Sequence, residues 1–317
     1  MARVLEQDKI CEVIPHRHEN VLIDRIELSQ EDSETERTGR GNVCFAPGDR
    51  EGRDIFIVKD AEGRDVYYHY MYMEFFALGA IMLMEEKVRG GRTAVFSSIR
   101  KVSFTGAAEA GTELLSNVSL KGVTSGFHRF AGTVEGNGEE LAGLQIMAYG
   151  VDFSSEEMSA ADSGGKQVEL PVLTEDTPVE TRDFAYKRPE LVCADRIRSF
   201  SEEEIVTEFT YPENHPFTKG HFPGNPVMMG IMQVVTAADS GELLAGRCNR
   251  EECEIETDSS LMRENGSLLC EVKGLSMFFH SKGVYPEPRG IKAVAFRDMV
   301  RPGEKLYCRT SLRRSME

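Results

Sequence analysis

The chain repeats itself. Three pairs of segments recur in the same order. "VLIDRIELS" (21–29) pairs with "VCADRIRSF" (192–200), sharing Asp-Arg-Ile at 24–26 and 195–197. The apolar stretches "MYMEFFALGA" (71–80) and "MQVVTAADSG" (232–241) correspond. "SIRKVSFTGAAEAGTELLSNVSL" (98–120) matches "GIKAVAFRDMVRPGEKLYCRTSL" (290–312), with Ile99, Val102, Phe104, Gly111 and Leu114 aligned to Ile291, Val294, Phe296, Gly303 and Leu306. Between the copies, residues 154–183 are rich in Ser, Asp, Glu, Gly and Pro and read as a linker. A repeat on this scale predicts two copies of one structural unit, at 1–153 and 184–317.

Each copy reads as a strand, an apolar helix and several further strands. "VYYHYMYMEFFALGAIMLM" (66–84) is apolar enough to raise a membrane span, but it contains His69 and Glu74, and no second such segment follows. A helix buried in a protein core explains it better. Runs such as "HRFAGTVEG" and "AGLQIMAYG" alternate as half-buried strands do. "VEGNGEEL" (134–141) and "RENGSLL" (263–269) carry the Asn-Gly signal of a β-hairpin. An antiparallel sheet wrapped around a helix would cover so apolar a segment, and two such units can join their sheets. The copies are not identical. The second has an insertion at about 249–279 and stops near Leu312, where the first continues for two more strands. The insertion can supply the missing hairpin from another point in the chain; the alternative is a natural chain that runs on.

A net charge of −16 argues against wide-field attraction to nucleic acid or anionic membrane. The seven cysteines are odd in number and form no paired CxxC motifs, and the start "MARVLEQDKICEVI" lacks the charged and apolar regions of a secretion signal. This reads as a reduced, cytoplasmic protein. Cys248 and Cys253, in "CNREEC", have neither a histidine nor a second cysteine pair beside them, so they are read as a polar loop; no metal is expected.

"GHFPGNPVMMG" (220–230) closely resembles the active-site signature of the 3-hydroxyacyl-ACP dehydratases of fatty acid synthesis, Gly-His-Phe-Pro-x-x-Pro-Val-Met-Pro-Gly. "IPHRHENVLIDRI" (14–26) resembles the N-terminal segment of the same family. "KVSFTGAAEAGTEL" and "AVAFRDMVRPGEKL" resemble its strand leading into a Pro-Gly-Asp turn. The resemblance implies an α+β double hotdog: two antiparallel sheets, each wrapped around a long central helix and paired as a pseudo-dimer. Met229 stands where the family has proline, which predicts a modest effect on the helix start.

In that family a histidine from one subunit works with an acid on the helix of the other, and within one motif the acid follows the histidine by fourteen residues. Here that position is Val235. The first half is the reverse: "MEFFALGA" puts Glu74 at the acid position, and fourteen residues earlier stands Asp60. The resemblance therefore implies one composite site, His221 with Glu74, and a dead counterpart, Asp60 with Val235. Outside the family context, Glu74 reads as a solvated helix residue and His221 as a loop histidine bonded to backbone. His215 and His69 read as structural.

The expected reaction is dehydration of a 3-hydroxyacyl thioester, ACP- or CoA-linked, in fatty acid or polyketide-type synthesis. His221 would take the C2 proton and Glu74 would protonate the departing hydroxyl. The N–H groups near Gly230 would hold the enolate-like oxygen. Phe222, Pro226, Met228, Met232, Phe75 and Phe76 would line the acyl tunnel. No cofactor is required and no membrane span or nucleic acid is expected. A homodimer of pseudo-dimers, or a place in a larger synthase, is compatible with this reading. The alternatives are a hotdog acyl thioesterase using Asp239 on the second helix, and a non-catalytic acyl-binding domain of a larger synthase.

Overall fold

The computed structural model describes residues 2–29, 37–88, 92–152 and 166–313. In chain order the strands of the first half are β1 (Arg3–Glu6), β2 (Arg25–Leu28), β3 (Thr38–Val43), β4 (Ile57–Lys59), β5 (Asp65–Tyr67), β6 (Arg92–Phe104), β7 (Leu114–Thr124), β8 (Phe127–Gly136) and β9 (Glu139–Asp152). Those of the second are β10 (Thr177–Pro178), β11 (Arg196–Phe200), β12 (Glu204–Thr210), β13 (Cys253–Arg263), β14 (Leu268–Phe279), β15 (Glu287–Phe296) and β16 (Lys305–Leu312). Two long helices stand out, Met71–Leu83 and Gly230–Arg247.

Fourteen of the strands form one continuous sheet, in the order β1-β2-β3-β7-β8-β9-β6-β15-β14-β13-β16-β12-β11-β10; β4 and β5 form a separate ribbon. The two expected sheets join into one, as paired units can. The halves are joined edge to edge where β6 pairs antiparallel with β15, through Ser103↔Gly290, Val102↔Ile291, Ile99↔Val294 and Ser98↔Ala295. Each half otherwise behaves as expected. The first helix packs on β3, β7, β8 and β9, the second on β12, β13, β14 and β16, and the helices touch each other. Burial on every side explains why the first helix has no polar face: all thirteen of its residues are buried. Gly79 lets it approach the sheet, since a Cβ there would lie 3.0 Å from Val118 Cγ2.

Both Asn-Gly hairpins form. Asn137 and Gly138 take positive φ in the β8–β9 turn, as a two-residue hairpin turn requires. The segment 249–279 folds largely as the β13–β14 hairpin. In the sheet order, β14 and β13 sit where β9 and β8 sit in the first half. The insertion thus supplies the strands the second half lacks at its end. Of the expected linker, residues 154–165 lie outside the described residues. The remainder runs along the second half: Gln167 bridges to Ser267, and β10 pairs with β11.

Candidate active site

Two loops meet between the halves. The loop before the first helix carries Phe56, and the loop before the second carries Phe217; their rings stack 5.1 Å apart and nearly parallel. The Phe217 loop then delivers His221, and the helix that follows starts at Gly230. Met229 is its N-cap at φ −58°, a value proline would share, so methionine leaves the helix start in place.

His221 is buried, and its Nδ1 lies 3.0 Å from the Val227 carbonyl oxygen. A carbonyl only accepts, so Nδ1 carries the proton and Nε2 keeps its lone pair. Glu74 comes from the first helix and is also buried. One further residue completes the group. His16, only 2% exposed, puts Nε2 3.5 Å from Glu74 Oε1 and its ring centroid 5.1 Å from that of His221. Ligand atoms of His16, Glu74 and His221 all lie within 4.8 Å of one another. The His16 segment is fastened to the His221 loop. Arg17 N–H donates to the Gly220 carbonyl at 3.1 Å, and buried Asn20 donates to the carbonyls of Arg17 and Phe217. Gly220 is needed there, because a Cβ would overlap the Arg17 carbonyl oxygen.

Burial disfavours the charged form of all three groups. Burial, helped by nearby His16, lowers the His221 pKa to about 4, against an opposing pull from Glu74. Burial and then Arg17 lower His16 to about 3. Burial raises Glu74, partly offset by His221. With His16 uncharged, its approach to Glu74 is not an ion pair at neutral pH. An uncharged imidazole beside a carboxyl whose pKa is raised by burial puts a candidate base and a candidate acid in one place.

The three residues line a cavity of about 390 Å³ whose other walls include Met73, Ala77, Phe96, Ile99, Phe222, Val227, Met228, Gly230, Ile231 and Phe296. Of the expected tunnel residues, Phe222 and Met228 line it, as does Gly230. Phe75, Phe76, Met232 and Pro226 are not in its wall. The reason is helix geometry: Met73, Glu74 and Ala77 share the cavity face, while Phe76 reaches toward Gly132 on β8. Two polar residues escaped the sequence reading. His16 was signalled by its place in the family-like "IPHRHENV" segment. Gln233 lines the cavity with its Oε1 buried and unbonded, and no local pattern marks it.

His69 packs in the core, with Nδ1 2.7 Å from Tyr285 Oη. His215 bonds the Glu190 carbonyl at 2.8 Å. Asp239 is buried against Lys187, accepts from the Cys193 N–H at 2.8 Å, and is not in the cavity wall. This leaves the thioesterase reading without its acid at this site. No described helix is long and apolar enough to cross a membrane.

A buried imidazole and carboxyl facing one cavity in a sheet-and-helix chain define a candidate acid–base site, and comparison gives it a family likeness. Residues 197–258, which include His221, match the family model of ApeI-like dehydratases, described as ApeI dehydratase. The chain is 28% identical over 121 residues to the 3-hydroxyacyl-[acyl-carrier-protein] dehydratase FabZ of Syntrophobacter fumaroxidans, covering 38% of this chain and 63% of that one. It is 34% identical over 99 residues to the FabZ of Caldicellulosiruptor saccharolyticus, covering 31% and 49%. The matches thus span less than two thirds of these relatives. The dehydratase domain of RzxB from Pseudomonas fluorescens is a structural neighbour at 10% identity and a TM-score of 0.44, covering 86% of this chain and 92% of that domain. The chain is similar to the 3-hydroxyacyl-ACP dehydratase-like hotdog proteins.

Proposed function

We propose that this chain dehydrates a 3-hydroxyacyl thioester to the trans-2-enoyl thioester at one composite site. The halves 1–153 and 184–317 act as the two members of a pseudo-dimer. The observation that carries the reading is the meeting of His221 and Glu74, from opposite halves, on one buried cavity. His221 Nε2 takes a proton from C2. The C2–C3 double bond forms as the C3–O bond breaks, and Glu74 gives its proton to the leaving hydroxyl, which departs as water. His221 then returns its proton to Glu74. The Val227 carbonyl fixes the tautomer this requires. The first N–H groups of the second helix, at Gly230, stabilise charge on the thioester oxygen.

The carrier is an acyl carrier protein or CoA, and the pathway is fatty acid or polyketide-type synthesis. The test is an enoyl absorbance assay with 3-hydroxyacyl-ACP and 3-hydroxyacyl-CoA over several chain lengths. Formation of the conjugated enoyl product supports the proposal. Thiol release without enoyl absorbance would support a thioesterase instead, and ligand retention with no conversion would make the chain a binding domain.

A further inference from the structure

We propose that His16, Glu74 and His221 form a binding site for a single divalent transition-metal ion such as Zn²⁺, and that the bound ion blocks the cavity against substrate. Two imidazoles and one carboxylate, converging and buried, are a donor set that suits zinc. Zinc bonds of about 2.0–2.2 Å put tetrahedral ligand atoms roughly 3.3 Å apart. The His16 Nε2–Glu74 Oε1 separation of 3.5 Å already approaches that. The remaining separations, all within 4.8 Å, close by rotation of side chains that border open space.

His221 is prepared as a ligand in a second way. Its Nδ1–H is held by the Val227 carbonyl, the outer-shell contact that orients a metal-bound histidine. His16 Nδ1 is buried without a hydrogen-bond partner, so the protein alone leaves this ring under-satisfied. All three residues line the cavity, so the fourth position of the ion faces it and takes water. The binding rests on this geometry alone; only its inhibitory consequence rests on the dehydratase reading.

Co²⁺ titration of the metal-free full chain, followed by absorption, tests the site. One ion per chain is expected, with nitrogen/oxygen-type ligand-field bands. Affinity should fall at least ~100-fold in His16→Gln and in Glu74→Gln, beyond the ~10–100-fold typical of losing an outer-shell partner. A thiolate charge-transfer band would place the ion on one of the seven free cysteines and overturn the proposal, as would unchanged affinity in both variants or no binding. Should a variant fail to fold, X-ray absorption on the Zn²⁺-loaded wild type decides: two imidazoles support the site and fewer overturn it. In the enoyl assay, Zn²⁺ should raise KM without lowering kcat. A chain that binds Co²⁺ as described but turns over no hydroxyacyl thioester would sink the dehydratase reading and leave the metal site standing.

Discussion

The two ends of the helix pair started from the same plan and differ in what they do with buried charge. At one end, His16, Glu74 and His221 face a cavity. At the other, the corresponding residues are Lys187, Val235 and Asp60. His16 stands eight residues before Asp24, and Lys187 eight residues before Asp195. Lys187 does not face open space. It is fully buried, donates to Asp239 one helical turn beyond Val235, and lies 4.6 Å from the Phe184 ring centroid. Tyr186 donates to Glu242 at 2.7 Å, and Tyr285 packs tilted against Tyr186 and bonds His69. Asp60 is tied into a turn by Arg64. One end gathers His16, Glu74 and His221 around a cavity; at the other Lys187 pairs with Asp239 and packs among rings, although Glu242 Oε1 keeps no hydrogen-bond partner. The first arrangement is what chemistry requires; the second is what a core requires.

The hardest test of this contrast is at the first end. His221→Ala and Glu74→Gln should each lower kcat/KM by ~10²–10⁴, and the double variant should lose little more, because the two act as a unit. Full turnover in Glu74→Gln by the enoyl assay would erase the distinction between the ends.

At the other end, Lys187→Met or Asp239→Asn should leave kcat per folded molecule unchanged but lower stability by ~3–5 kcal/mol in denaturant melts, since each strands a buried polar partner. The joint change Lys187→Met with Asp239→Leu should recover most of that loss. A collapse of kcat in a variant that remains folded would mean that this end takes part in the reaction.

The pH profile sharpens the comparison further. A depressed His221 stays a neutral base until pH falls through about 4, so the acid limb of kcat/KM should fall near there and not near 6.5. The raised Glu74 should set the alkaline limb as it ionises. The same sign holds for stability: burying a neutral imidazole contributes fully above 6.5 and is lost as pH falls toward 4. An acid limb near 6.5 would show a solvated histidine.

The smallest effect is expected at Gly230→Ala. The added Cβ lies 3.3 Å from the Phe296 ring, which must shift slightly in the cavity wall. A few-fold loss in kcat/KM is expected, while the helix gains ~0.5–1 kcal/mol in thermal unfolding.

Much of this was legible in the sequence, for reasons that can be named. The repeat pointed to two helices, each with several strands following it in the chain. Asn-Gly turns marked both hairpins: Asn137 and Gly138 both take positive φ, and in the second turn Gly266 does. The His221 loop and Glu74 were singled out by resemblance to the family's motifs and their fourteen-residue spacing. What could not be read was facing. A helix buried all round carries no apolar stripe, so Phe75 and Phe76 looked as suited to the cavity as Met73 and Ala77. The joining of the sheets was foreseen, but not that β6 and β15 form the seam, nor that Lys187 finds Asp239, since both depend on tertiary packing.

The seam between β6 and β15 has a consequence for stoichiometry. As separate molecules, two different halves could form three pairs: each with its own copy, and one mixed. Only the mixed pair sets the histidine of one against the acid of the other. A covalent tether offers the correct strand edge at an effective concentration on the order of millimolar, so the mixed pairing prevails. Ile99 and Phe296, from the two strands of that seam, both line the cavity. Whatever occupies it therefore rests on the junction, and its binding would strengthen the pairing that created the site.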